Sequence, residues 1–61
     1  MDNLGKFLHD QRETKGLSYS KIWNDIRIRE EQVKLIENNR FCDLGVYGVA
    51  KAILFNYARY L

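Results

Sequence analysis

The sequence predicts an all-α fold, a compact bundle of four to five helices. Three observations carry this reading. Apolar residues recur at helical spacing, as in Leu4, Phe7 and Leu8, and again in Val33 and Ile36; that period lines one face of a helix. No segment alternates apolar and polar residues over any length, as a half-buried strand would. Proline is absent, so glycine does the punctuating, at Gly5, Gly16, Gly45 and Gly48.

The first helix is predicted over residues 3–15. Asp2 or Asn3 caps it, and Leu4, Phe7, Leu8 and Gln11 share its inner face. Gly16 ends it in the left-handed conformation that favours glycine. Leu17 then precedes Ser18, a good N-cap for a second helix over 19–25. Ile22 and Ile26 point inward from that helix, and Arg27 and Ile28 form a turn. A third helix follows over 29–38, burying Val33, Ile36 and part of Gln32. Asn39 is its left-handed C-terminal cap, because asparagine tolerates that conformation.

Phe41 and Leu44 are apolar pins in the next loop. The last helix begins between Val46 and Val49 and continues to Leu61. The pattern is still helical at Leu61, without a capping residue, so an N-terminal piece of a longer chain is expected.

Sixty-one residues make one domain. A chain this short buries only about 60% of its unfolded surface, so good packing matters. Ten basic against eight acidic residues give a net charge of +2. That balance allows nucleic acid without demanding it. Cys42, the single cysteine, permits neither an internal disulfide nor a metal cluster and fits a reducing cytoplasm. No apolar run approaches the roughly 18 residues of a membrane span, and no signal peptide is visible.

The pieces Leu8, Arg12, Gly16-Leu17-Ser18, Ile22, Ile28, Val33 and Ile36-Glu37-Asn38 resemble the helix-turn-helix domains of the phage-repressor-like superfamily. The resemblance implies a core of Leu8, Leu17, Ile22, Ile28, Val33 and Ile36. It also implies that Arg12 and Glu37 face each other and form an ion pair linking the first and third helices. Two positions depart from the pattern. Trp23 stands where the superfamily wants a small residue, and Arg27 where it favours glycine. Trp23 must therefore turn sideways into a groove or push the helices apart.

In a DNA-binding relative the outward positions of the third helix face the major groove. Here they are Arg29, Glu30, Gln32 and Lys34, with Glu31 beside them. Two adjacent carboxylates repel the phosphate backbone that supplies most affinity. They also suit the positive end of the helix dipole, so their place in the first turn has a purely structural explanation. Sequence-specific DNA binding by these residues is the alternative function.

A narrower resemblance covers nearly the whole chain. Ile28-Arg29 in the turn, Glu37-Asn38-x-x-Phe41 with Leu44, and Asn56-Tyr57-Ala58-Arg59-Tyr60-Leu61 are similar to the cytoplasmic N-terminal domains of RodZ-type bacterial cell-shape proteins. The resemblance implies a non-catalytic scaffold that docks on the bacterial actin MreB through its last helix. It implies a cytoplasmic location and a transmembrane helix later in the full-length chain. Val49, Lys51, Ala52 and Ile53 stand where that family has two aromatics bracketing an Arg-Gly pair.

The residues of the last helix point the same way. Ala50, Leu54, Tyr57, Ala58 and Leu61 gather on one side, suited to the core. Val49, Ile53 and Tyr60 make a second apolar stripe, and the combined arc of roughly 180° exceeds the ~100° one packing partner needs. Val49, Lys51, Ile53, Phe55 and Tyr60 are the expected partner-binding residues, with Lys51 and Arg59 steering toward an acidic surface.

Enzyme chemistry is not visible. His9 and Glu13 read as a surface pair at i, i+4, short of the three or four ligands a zinc site needs. No nucleophile–base set, phosphate loop or carboxylate cleft is present, and no cofactor is expected.

Overall fold

The computed structural model describes residues 3–61, and all its regular elements are helical. Helix α1 spans Leu4–Thr14, α2 Tyr19–Ile26 and α3 Glu30–Glu37. A 3₁₀ turn follows at Phe41–Leu44, and α4 spans Tyr47–Tyr60. Each α-helix lies where the sequence places it, within a residue or two at its ends, and the segment read as a loop around Phe41 and Leu44 forms the 3₁₀ turn. Asp2 lies outside the described residues, and Asn3 occupies the cap position of α1 without a side-chain capping bond.

Helices α1 and α3 end in the same way. The Gly16 amide donates to the Glu13 carbonyl and the Leu17 amide to the Arg12 carbonyl, each at 3.1 Å. The Asn39 and Arg40 amides donate to Ile36 and Leu35 at 3.1 and 2.8 Å. Both are Schellman closures, which need a left-handed residue, and Gly16 and Asn39 supply it with φ of 65° and 60°. At the start of α2, the Ser18 hydroxyl accepts from the Lys21 amide at 3.1 Å. Arg27 ends α2 at φ 58°, a conformation that costs a side-chain-bearing residue about 1–2 kcal/mol. Its guanidinium lies over the Trp23 ring, 5.2 Å from the centroid, which offsets part of that cost.

The core consists of Leu8, Ile22, Ile28, Val33, Ile36, Leu44, Ala50 and Tyr57. Ile22, Val33 and Ile36 are fully buried, and each contributes on the order of 2 kcal/mol by burial. Leu17, Leu35 and Phe41 pack against this cluster from its edge. Three readings from the sequence need correction. The buried stripe of α1 is Gly5, Leu8 and Arg12, which leaves Phe7 one helical step off it and 58% exposed. Ala58 faces solvent, because the inner line of α4 runs through Ala50 and Tyr57. Gly5 and Gly48 are not punctuation, since they lie within α1 and α4.

Gly5 sits where α1 crosses the end of α3. A Cβ there would stand 2.6 Å from the carbonyl oxygens of both Ile36 and Glu37. The missing side chain lets the backbones meet, and the Gly5 amide donates to Asn39 Oδ1 at 2.9 Å. Gly48 has nothing within 4 Å of the same hypothetical atom. The same substitution should therefore act with opposite sign at the two sites. Gly5→Ala should destabilise the domain by about 2–3 kcal/mol through overpacking. Gly48→Ala should stabilise it by about 0.5–1 kcal/mol through helix propensity. Urea denaturation of the two variants beside the parent measures both.

Candidate functional site

The one buried polar cluster of the described residues centres on Glu37, the last residue of α3. Arg12 Nε donates to Glu37 Oε2 at 2.8 Å, and Arg12 Nη2 to Oε1 at 3.3 Å. Arg12 Nη1 donates onward to the Leu17 carbonyl at 3.1 Å, and the guanidinium stacks 4.9 Å from the centre of the Tyr19 ring. The Tyr57 hydroxyl reaches across from α4 and donates to Glu37 Oε2 at 2.6 Å. His9 Nδ1 lies 2.9 Å from Glu37 Oε1 and donates to it in the tautomer that carries hydrogen on Nδ1. The pairing of His9 with Glu13 is thus replaced by one with Glu37, because Glu37 presents a fixed carboxylate above the same face of α1.

These bonds set the ionisation of the cluster. Burial alone would push the Glu37 carboxyl up. Hydrogen bonds from Arg12, Tyr57 and His9, with the Arg12 charge, outweigh burial and hold it below its ordinary value. Tyr57 is pushed well above the ordinary tyrosine range by burial and then by its bond to Glu37. The hydrogen bond to Glu37 likewise raises Arg12. All three groups therefore keep fixed charge states at neutral pH. The arrangement is a clamp that joins α1, α3 and α4.

The outward face of α3 is electrically self-contained. Lys34 Nζ pairs with Glu30 Oε2 at 2.9 Å. Gln32 Oε1 accepts the Arg29 amide at 2.9 Å, so this carbonyl caps its own helix. Arg29 and Glu31 remain, with opposite charges, and both are exposed. Trp23 does turn sideways. It is 39% exposed and lines a shallow groove with Tyr19, Asn24, Arg29 and Glu30.

Helix α4 carries two surfaces. Of the stripe Val49, Ile53 and Tyr60, only Val49 is largely open, at 51%. Ile53 and Tyr60 pack against the core, and the Tyr60 hydroxyl donates to Asp25 Oδ2 at 2.6 Å. That bond pushes the Tyr60 phenol up to about 12. These two expected partner-binding residues are therefore partly engaged by the fold itself. The wide apolar arc of α4 is consumed on both sides by neighbours, because a short helix bundle wraps its last helix from more than one direction.

The exposed aromatics lie elsewhere. Tyr47 is 81% and Phe55 54% exposed, at i and i+8 around Lys51. Lys51 Nζ lies 5.9 Å from the Tyr47 ring centre and 5.6 Å from that of Phe55. Beside this ladder runs an apolar groove of about 530 Å³ between the 3₁₀ turn and α4, with Phe41, Cys42, Ala50 and Leu54 among its walls. The sequence reading named Lys51 and Phe55 but not Tyr47. The i, i+4, i+8 spacing was the available signal.

Among the described residues no three His, Cys, Asp or Glu side chains gather where a metal ion could be held. No helix is long and apolar enough to cross a membrane among those residues.

A left-handed turn between two short helices, α2 and α3, packed over a third is the architecture of a helix-turn-helix module. The chain belongs to the helix-turn-helix domain family, whose model matches residues 7–61. No curated protein and no solved structure matches it.

The clamp yields a pH profile. The folded-state pKa of Glu37 lies below its unfolded value of 4.5, so its contribution is complete above that value and is lost as pH falls through the folded pKa. The folded-state pKa of Tyr57 lies above its unfolded value of 10.0, so its contribution is complete below pH 10 and is lost as pH rises beyond it. Tyr57→Phe should therefore flatten the alkaline limb of stability against pH, and Glu37→Gln the acid limb. Glu37→Ala, which leaves Arg12 buried without a partner, should cost about 3 kcal/mol at neutral pH. Chemical denaturation from pH 3 to pH 11 reads all three.

Proposed function

We propose that this domain is a non-catalytic protein-binding module. It docks on an actin-like filament of the MreB class through α4, as the cytoplasmic part of a RodZ-like scaffold whose longer chain carries a membrane anchor. One observation carries the reading. On the outward face of the reading helix Arg29 and Lys34 are balanced by Glu30 and Glu31, whereas α4 holds the domain's net charge and the exposed aromatics Tyr47 and Phe55. Lys51 and Arg59 are the only charged residues of α4. The other eight basic residues are matched by the eight acidic ones, so the whole +2 resides on this helix. The partner face comprises Val49, Lys51 and Phe55, with Tyr47 added. Ile53 and Tyr60 support it from beneath.

DNA binding draws most of its affinity from cations released onto phosphates. The outward face of α3 offers two, Lys34 and the capping residue Arg29. Lys34 is bonded to Glu30, and Arg29 stands beside Glu31. Arg29, Glu30, Gln32 and Lys34 thus serve α3 itself better than they would serve a major groove.

Co-sedimentation with polymerised MreB, beside a DNA mobility-shift assay at physiological salt, tests the reading. Pelleting with filaments and no DNA shift is the expected result. A sequence-dependent, salt-resistant shift without pelleting would make Arg29, Glu30, Gln32 and Lys34 the functional face and remove α4 from the account.

A further inference from the structure

We infer that the groove between the 3₁₀ turn and α4 is the seat of the partner contact, and that it takes an apolar side chain from an acidic segment, with Lys51 meeting the segment's carboxylate. The inference rests on the docking reading above and specifies its face and its chemistry.

Shape comes first. Ala50 and Leu54 form part of a floor that continues into the core, while Phe41 and Cys42 come from the facing 3₁₀ turn. A volume of about 530 Å³ lies within the range of pockets that bind ligands by apolar contact. Tyr47 and Phe55 flank it and remain open to solvent, as aromatic anchors at interfaces do before association.

Charge then selects the occupant. Lys6, Lys21 and Lys34 each pair with a carboxylate four residues away. Lys51 forms no such pair among the described residues. It is held between two aromatic rings instead, and no acidic residue lies on its helix. A cation positioned this way has already lost much of its side-chain freedom, so meeting a partner carboxylate costs less order. A second copy of this chain is a poor occupant. A symmetric contact through this face sets Lys51 and Arg59 against their own duplicates, and like charges across an interface oppose association.

Cys42 makes the groove readable, because it is the only cysteine and is exposed at the groove wall. The experiment measures the rate at which N-ethylmaleimide alkylates Cys42, with and without polymerised MreB, together with pelleting. Bound filament should slow alkylation by about fivefold or more. Lys51→Glu should weaken pelleting by about tenfold or more and remove the protection. Ser20→Ala, on the exposed face of α2 and away from the groove, should behave as the parent. Circular dichroism confirms that these exposed positions leave the helices intact.

Pelleting with unchanged Cys42 alkylation, or with Lys51→Glu binding as the parent does, overturns the groove while leaving the docking reading in place. Absence of pelleting by the parent overturns the docking reading. The groove is then decided by two synthetic helical peptides sharing a leucine stripe, one flanked by glutamates and the other by lysines. Protection of Cys42 by the glutamate peptide alone supports the inference. Protection by both, by neither, or only by phosphatidylglycerol vesicles overturns it.

Discussion

Glu37 is a carboxylate placed where a carboxylate is least welcome. It is the last residue of α3, at the negative end of the helix dipole, and its side chain is almost wholly withdrawn from water. Such a charge persists only if every lone pair is met. Arg12 and His9 meet it from α1 and Tyr57 from α4. A buried pair of this kind adds little net stability over apolar packing, but it is costly to break, so its effect is to fix geometry. Three helices meet at that one group, and its bonds tie their mutual arrangement. The backbone contact of Gly5 with the end of α3, and the bond from its amide to Asn39, complete the same joint.

A joint that is fully satisfied inside leaves the outer faces free to diverge. Two helices sharing one interior have acquired opposite exteriors. On α3 the lysine and the glutamine side-chain oxygen are turned back on their own helix. On α4 a lysine has been left without a carboxylate and lodged between aromatic rings. The fold thus has the interior of a helix-turn-helix module while its surplus charge lies on α4. What is packed sets the fold, and what is exposed sets the charge pattern.

Much of the interior was legible in the sequence. Periodicity placed every helix, and residue chemistry placed Gly16, Ser18 and Asn39 in their capping roles, because these signals act over a few residues. Glu37 and Arg12 were legible as partners only through resemblance, since twenty-five positions separate them. The Tyr57 hydroxyl and the His9 ring were not legible as parts of the same cluster. Their bonds depend on how helices cross, which no local pattern encodes. Gly5 misled for a related reason. A glycine that makes room for a neighbouring backbone looks in sequence like ordinary punctuation. On α4, periodicity identified the wide apolar arc but could not say which half the neighbours would cover. Ile53 and Tyr60 were therefore read as open, and the ladder of Tyr47 with Lys51 and Phe55 was only half recognised.

The two tyrosine hydroxyls that fasten α4 both lie in its last turns, on Glu37 and Asp25. Its first turn has no such fastening, and Val46, Tyr47, Gly48 and Val49 are all exposed, with no side-chain cap at Val46. Resistance to opening is therefore graded along one helix. The end beside the groove is thus held by fewer side-chain bonds than the end that closes the core. Adaptability at the surface and persistence of the fold are then governed by different residues of a single element, so either can change over generations without forfeiting the other.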